Sequence, residues 1–301
     1  DERPAMKETS RQNVEFIPRE KQLKTIWKTL RKSRTAMFGL CVLAFLALVA
    51  IFADLIVPYS KATELSLDVL VSPCAAHPFG TDDLGRDVFA RVVHGTRYSL
   101  LVGVSVSFLS LFVSMILASL ASYYGGKVDY IIMRIMDIFM CIPMILLALA
   151  IVAALGPGLV NLMIALTISS IPGKVRLIRS VMLGIREQEY IQAARSYGCS
   201  DLRIMFRHVL PNALGPIIVN TTMSMGSLIL AASGLSYIGM GIQPPRPEWG
   251  AILSDARNYM SIAPYVLVFP GVAILLAALS INLAGDGLRD AFDPRLKDNE
   301  R

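Results

Sequence analysis

Residues 189 to 217 read EYIQAARSYGCSDLRIMFRHVLPNALGPI, a polar stretch set between two long apolar runs. Tyr190, Ala193, Ala194 and Tyr197 recur at i, i+3, i+4 and i+7, the spacing of one helical face. Gly198 follows where a helix can end in a left-handed residue. Ser200 then stands ready to cap a second helix, whose face is Leu202, Met205, Phe206 and Val209, with Arg203 and Arg207 on another side. Pro211 falls in the first turn of the next run, where its missing N–H costs least. The pattern predicts a helical hairpin. Its first helix offers small residues flanked by tyrosines, and its second keeps a larger apolar face for the rest of the protein. A plain connector has no need of such ordered faces, whereas helix-in-groove docking uses this anchor spacing.

The surroundings place that hairpin in a membrane protein. Apolar residues make up 54% of the 301-residue chain and charged residues 17%, with a mean hydropathy of +0.55. Soluble domains carry about a quarter charged residues. A spanning helix needs about 20 mostly apolar residues, and six such runs stand at 36 to 57, 98 to 122, 131 to 155, 159 to 180, 211 to 232 and 263 to 284. All six are predicted helices, and no strand-like alternation competes with them.

Lys and Arg concentrate before the first run, between the fourth and fifth (Lys174, Arg176, Arg179, Arg186, Arg195, Arg203, Arg207) and after the sixth (Arg289, Arg295, Lys297, Arg301). Positive side chains are retained on the cytoplasmic side, so both termini and the 189 to 210 hairpin are expected in the cytoplasm. The net charge of +6 then meets anionic headgroups or a cytoplasmic protein and requires no nucleic acid.

Residues 1 to 35 form a charged cytoplasmic segment and 36 to 301 a transmembrane domain, with a core at about 97 to 285. No secretory leader is expected in a segment so charged. Within it Leu23, Ile26, Trp27 and Leu30 fall at i, i+3, i+4 and i+7 among Lys21, Lys24, Lys28 and Arg31, which predicts an interfacial helix on the inner leaflet; a partner-docking arm is the other reading. Cys41, Cys74, Cys141 and Cys199 are scattered singly and form no framework.

Asp54, Asp129, Arg134, Asp137, Lys174, Arg176 and Arg179 lie near expected span boundaries, where snorkelling can satisfy them. An ion-coupled carrier calls for a carboxylate or histidine deeper in the membrane, and none is evident. Gly103, Ser107, Ser110 and Ser114 repeat at helical spacing and suit close helix packing. The fifth run differs in kind, for it holds Asn220, Thr221, Thr222, Ser224 and Ser227 beside Met223, Pro216 and Gly226. So many polar groups must face protein or water, so the run either lines a pathway or bonds to neighbouring helices. Met144, Asn161, Ser169 and Ser170 are weaker members of the same group.

Catalytic chemistry finds no footing. His77, His94 and His208 do not share ligand spacing, and neither a metal-binding nor a nucleophile-elbow motif occurs. Gly173-Lys174 lacks the upstream glycine of a phosphate loop, and GMGIQP at 239 to 244 lacks the third glycine of a dinucleotide fingerprint. Neither a metal nor a nucleotide is expected to bind this chain.

QAARSYG, then nine residues, then HVLP resembles the EAA motif of binding-protein-dependent ABC importer permeases: Glu-Ala-Ala, three residues, Gly, nine residues, Ile, any residue, Leu-Pro. Ala193, Ala194, Gly198, Leu210 and Pro211 match; Gln192 stands for Glu and His208 for Ile. HPFGTDDLGRDVFARVVHGTRYSLLVG, LSYIGMGIQPPRPEWG and GDGLRDAFDPRL are similar to stretches of the dipeptide and oligopeptide branch, which includes nickel and glutathione importers. The likeness runs from His77 onward. Ala232 stands where that branch leads one to expect an acidic residue.

What the resemblance implies is an all-α, six-span type I ABC importer permease of the second, C-type kind in a prokaryotic inner membrane. It would be non-catalytic and would pair with a second homologous permease above two ATPase subunits, which carry the ATP and Mg. An external substrate-binding protein would deliver di- or oligopeptides to an outward-open cavity. The coupling element would comprise Glu189, Tyr190, Gln192, Ala193, Ala194, Arg195, Gly198, Ser200, Asp201 and Leu202. Two outer loops are long enough to be functional. Asp82, Asp83 and Arg86 in one and Arg246, Glu248 and Trp249 in the other either touch the binding protein or form local salt bridges and a rigid turn. An ion-coupled carrier or channel, or a non-transporting scaffold, are the competing classes; the scaffold leaves the polar fifth run unexplained.

Overall fold

A computed structural model describes residues 27 to 292. Among these the only β pairing is an isolated bridge between Thr81 and Asp87; all other regular structure is helical. The long elements are α1 (Arg34–Ile51), α2 (Val88–Tyr124), α3 (Gly126–Met140), α4 (Met144–Leu155), α5 (Leu159–Arg186), α6 (Glu189–Ser196), α7 (Asp201–Tyr237), α8 (Trp249–Ala256) and α9 (Tyr265–Phe292).

Length and composition qualify α1, α2, α7 and α9 as membrane-crossing helices, and the bent pair of α3 and α4 as a fifth span. The helix over the fourth expected run, α5, is 28 residues long and carries Lys174 and Arg176 inside it. α1 shows why the outside is apolar: Phe38, Phe45, Leu48 and Ile51 are exposed while Ala36, Gly39 and Leu46 are buried, a surface suited to lipid.

The 131 to 155 run was expected as one helix and is two. Helix α3 stops at Met140, α4 starts at Met144, and their axes meet at 86°. Pro143 accounts for the break, because it lacks an N–H, clashes with the preceding turn and drives Ile142 out of the helical region. Pro172, Pro216 and Pro270 by contrast sit inside α5, α7 and α9, where neighbouring helices can support the freed backbone groups.

α2 packs on α5 and α7, α1 on α9, and α9 on α7. Lipid is as apolar as a leucine side chain, so close approach through small residues holds such helices together. The stripe on α2 serves this purpose. Ser107, Ser110 and Ser114 are buried, and a Cβ on Gly103 would lie 2.5 Å from Ile229 Cγ1 on α7. One core joins Val102, Val106, Ala148, Leu162, Leu166 and Leu228, and a second gathers Val88, Trp249, Ile252, Val266 and Ala277. Of the predicted interfacial helix, Leu23 and Ile26 lie outside the described residues; Trp27 is exposed and Leu30 packs with Ala36 and Ala291.

Candidate functional site

The hairpin is built from the core outward. Ile191 of α6 is fully buried beside Val175, Ile178 and Met182 of α5 and Ile204, Met205, Val209 and Ala213 of α7. α6 closes in a Schellman motif: Cys199 N–H donates to Ala194 O at 3.1 Å and Gly198 N–H to Arg195 O at 2.9 Å, with Gly198 at φ +77°. Nothing lies within 4 Å of a Cβ built on Gly198, so glycine is required there by the backbone angle alone. Ser200 Oγ accepts from Arg203 N–H at 3.4 Å and caps α7.

The second limb is not a separate short helix as expected. It runs unbroken into the fifth span as α7, through a π-helical stretch at Met205–Val209. Here the bonds run i to i+5, so Leu210 N–H reaches Met205 O. The looser turn also accommodates Pro211, and Asn212 Nδ2 donates to His208 O at 2.7 Å. The wider turn shifts the buried face. Ile204, Met205 and Val209 point inward, while Leu202 and Phe206, predicted to stay with the core, are exposed.

The result is a tip that presents both apolar and polar side chains outward. Tyr190, Ala193, Tyr197, Leu202 and Phe206 are all exposed, as are Glu189, Gln192, Arg195, Gly198, Ser200 and Asp201; Ala194 alone of the expected set turns toward the core. Arg195 and Asp201 face each other across the turn at 3.5 Å, a pair worth at most about 1 kcal/mol at such exposure. Gln192 Nε2 donates to Glu187 O at 3.3 Å. Tyr190 Oη accepts from Asn212 Nδ2 at 3.3 Å, and partial burial raises its phenol pKa against that bond.

A second site lies where α3 breaks from α4. Met144, Asn220, Ser224 and Ser227, four of the six expected pathway residues, line one cavity of about 420 Å³ together with Ser169, Ser170 and Lys174. The other two are elsewhere. Met223 packs against Gly285 of α9, and Asn161 Nδ2 donates to Leu155 O and Gly156 O at 2.9 and 3.0 Å, closing the end of α4. Lys174 is the residue sequence reasoning missed. It was placed at a boundary, yet it is only 7% exposed. Its signal was a charge inside an expected run with Ser110 on a neighbouring small-residue stripe. Arg176 and Arg179 pair instead with Asp137 and Asp129 of α3.

The outer-loop residues turn inward. Asp82 binds Arg86 Nε at 2.7 Å and also Arg91, and both guanidinium groups reach Asp255 of the α8 helix, at 3.1 and 2.9 Å. Glu248 accepts from Gly250 N–H at 3.0 Å and Ala251 N–H at 2.9 Å, capping α8; burial raises its carboxyl pKa, opposed by those bonds. The Trp249 indole donates to Val92 O at 3.0 Å. Asp82, Arg86, Glu248 and Trp249 are therefore buried within this chain, in local ion pairs and a helix cap. Asp83, its carboxyl pKa raised by burial and then by Asp82 and Asp255, is half-buried, and Arg246 is exposed.

Residues 110–298 match the model of the binding-protein-dependent transport system inner membrane component, and 21–73 that of the N-terminal TM domain of oligopeptide transport permease C. The chain is 46% identical to a dipeptide transport system permease protein of Alkalihalophilus pseudofirmus, DppC, over 90% of this chain and 89% of the relative. It is 43% identical to a di/tripeptide transport system permease protein of Pseudomonas aeruginosa, over 91% and 93%. It is also 46% identical to a glutathione transport system permease protein, GsiD, of Escherichia coli, over 90% of each. Among solved structures, a chain of the MetNI methionine ABC transporter in inward facing conformations shares the fold at a TM-score of 0.55 and 21% identity. That likeness covers 67% of this chain and 97% of the other.

Proposed function

The chain belongs to the family of binding-protein-dependent transport system inner membrane components, and from that premise we propose that it is one of two permease subunits of an ATP-driven importer of di- and oligopeptides. The second permease is a homologue of this chain. Two ATPase subunits bind the nucleotide and Mg on the cytoplasmic side, where both termini and the hairpin lie, and a binding protein delivers cargo from outside. The chain itself is non-catalytic.

The observation that carries this reading is the hairpin tip. Tyr190, Ala193, Tyr197, Leu202 and Phe206 stand exposed on a base fixed by Ile191, Ile204, Met205 and Val209. Such a surface suits a groove in an ATPase subunit. Because α7 is continuous from the hairpin to Tyr237, a push at the tip reaches Asn220, Ser224 and Ser227 in the cavity wall as rigid-body motion. α5, clamped by the same core, carries Ser169 and Lys174 with it. ATP-driven closure of the ATPases thus becomes opening and closing of the pathway.

Purification from native membranes in mild detergent tests the assembly. Recovery of a second permease and ATP-hydrolysing subunits, with ATP-dependent dipeptide uptake after reconstitution, is the expected result. Recovery of the chain alone without ATPase activity overturns it. The glutathione-named relatives match as closely, so the same vesicles are tested with glutathione.

A further inference from the structure

The 420 Å³ cavity falls within the range of small-molecule sites, about 300–1,000 Å³, and its chemistry is lopsided. Lys174 supplies a cation, with Nζ donating to Ser110 Oγ at 2.6 Å. The Ser110 hydroxyl spends its own proton on Val106 O at 2.6 Å, so it can only accept from the ammonium. An ammonium has three donors, and among the described residues no carboxylate lies within salt-bridge distance of Lys174. A buried cation with neither a counter-charge nor full hydrogen bonding is costly. A negative group beside it would offset that cost.

The remaining hydroxyls of the lining act as acceptors, and the Asn220 amide can both donate and accept. Ser169 donates to Ala165 O at 2.7 Å, Ser170 to Thr167 O at 3.0 Å, Ser224 to Thr221 O at 2.9 Å and Ser227 to Ser224 O at 2.7 Å. Each hydroxyl proton is turned back on its own helix, which leaves oxygen lone pairs toward the space. The Asn220 amide has no hydrogen-bond partner among the described residues. A cavity with one cation and several neutral acceptors complements a small molecule with one carboxylate and several N–H groups.

Resting on the peptide-import reading, we propose that Lys174 binds the terminal carboxylate of the transported peptide, while the serine oxygens of α5 and α7 accept from its N–H groups. The site stands where the 86° break draws α3 away from the α4 helix, beside Met144. It lies on the two helices that the hairpin clamps, so movement of the tip carries the ammonium and serines together past Pro143 and Met144 and loosens the peptide as the pathway opens.

The test uses the complete transporter in proteoliposomes, with binding protein saturated by Ala-Ala or by its C-terminal amide so that capture outside does not enter the rates. Wild-type uptake of the free acid is expected to exceed that of the amide at least ten-fold. In Lys174→Met the ratio falls to near one, and Lys174→Arg keeps it. A ratio within one complex does not depend on how much protein assembles. If Lys174→Met yields no transporter, Lys174→Gln, which can still bond Ser110, carries the same readout. Equal wild-type rates for acid and amide, or an unchanged ratio in the neutral variants, overturn the proposal and assign the missing counter-charge to a carboxylate of the second permease. Uptake of neither compound by wild type defeats the peptide-import reading itself.

Discussion

Three residues show what decides a single position. Asp82 is 1% exposed between Arg86 and Arg91, themselves 4% and 2% exposed. Removing one partner of a buried ion pair costs about 3–5 kcal/mol, so Asp82→Asn is expected to lower the thermal midpoint in detergent sharply, while Asp83→Asn changes it little. Glu248 lies outside the spans, and burial raises its carboxyl pKa above the ordinary 4.5. The native state therefore holds its proton to higher pH than the unfolded chain, and stability declines as pH rises from 4.5 through the native value. Glu248→Gln is expected to flatten that decline in melting curves taken between pH 5 and 8. Gly198 sits at φ +77° with open space around it, so Gly198→Ala should cost about 1 kcal/mol through backbone strain alone. Faster amide exchange at residues 198 and 199 would register it. The glycine was legible in the sequence because its reason is local. Asp82 and Glu248 were not, because residues far along the chain complete their surroundings: Asp255, which shares Arg86 and Arg91 with Asp82, and Ser99, which donates to Glu248.

At the level of elements, the hairpin's first helix and its cap followed the sequence pattern, whereas its second limb did not. Helical periodicity assumes 3.6 residues per turn, and the π stretch at Met205–Val209 breaks that count, which is why Leu202 and Phe206 emerged on the outside. The bend between α3 and α4 was not read from the sequence, because Pro143 breaks its run while Pro172, Pro216 and Pro270 sit inside unbroken helices. Two substitutions separate anchoring from docking. Ile191→Ala removes a fully buried side chain and should cost about 2–5 kcal/mol, seen as loss of exchange protection across α6. Ala193→Arg places a charge on an exposed position and should leave insertion and melting unchanged while reducing uptake to background. Full uptake in that variant would remove the hairpin from the coupling path.

For the whole molecule, the proposed mechanism requires energy from ATP and none from an ion gradient. Uptake by the reconstituted complex should stop when ATP is withheld and continue when sodium and proton gradients are collapsed; the reverse pattern would identify an ion-coupled carrier. Membrane character, helical class, the hairpin's place and the family were all determined by the sequence alone. Each rests on composition or on short-range spacing, and such signals survive without knowledge of distant contacts. Only the tertiary structure decided that Lys174 is buried against Ser110, that Met223 and Asn161 serve packing and capping, and that the charged outer loop pairs with Asp255 of α8. A side chain's burial and partners depend on which helices lie beside it and at what angle. In a chain where nearly every run is apolar, hydropathy marks the helices but does not rank their faces, so close packing of small residues and the pairing of buried charges make that choice.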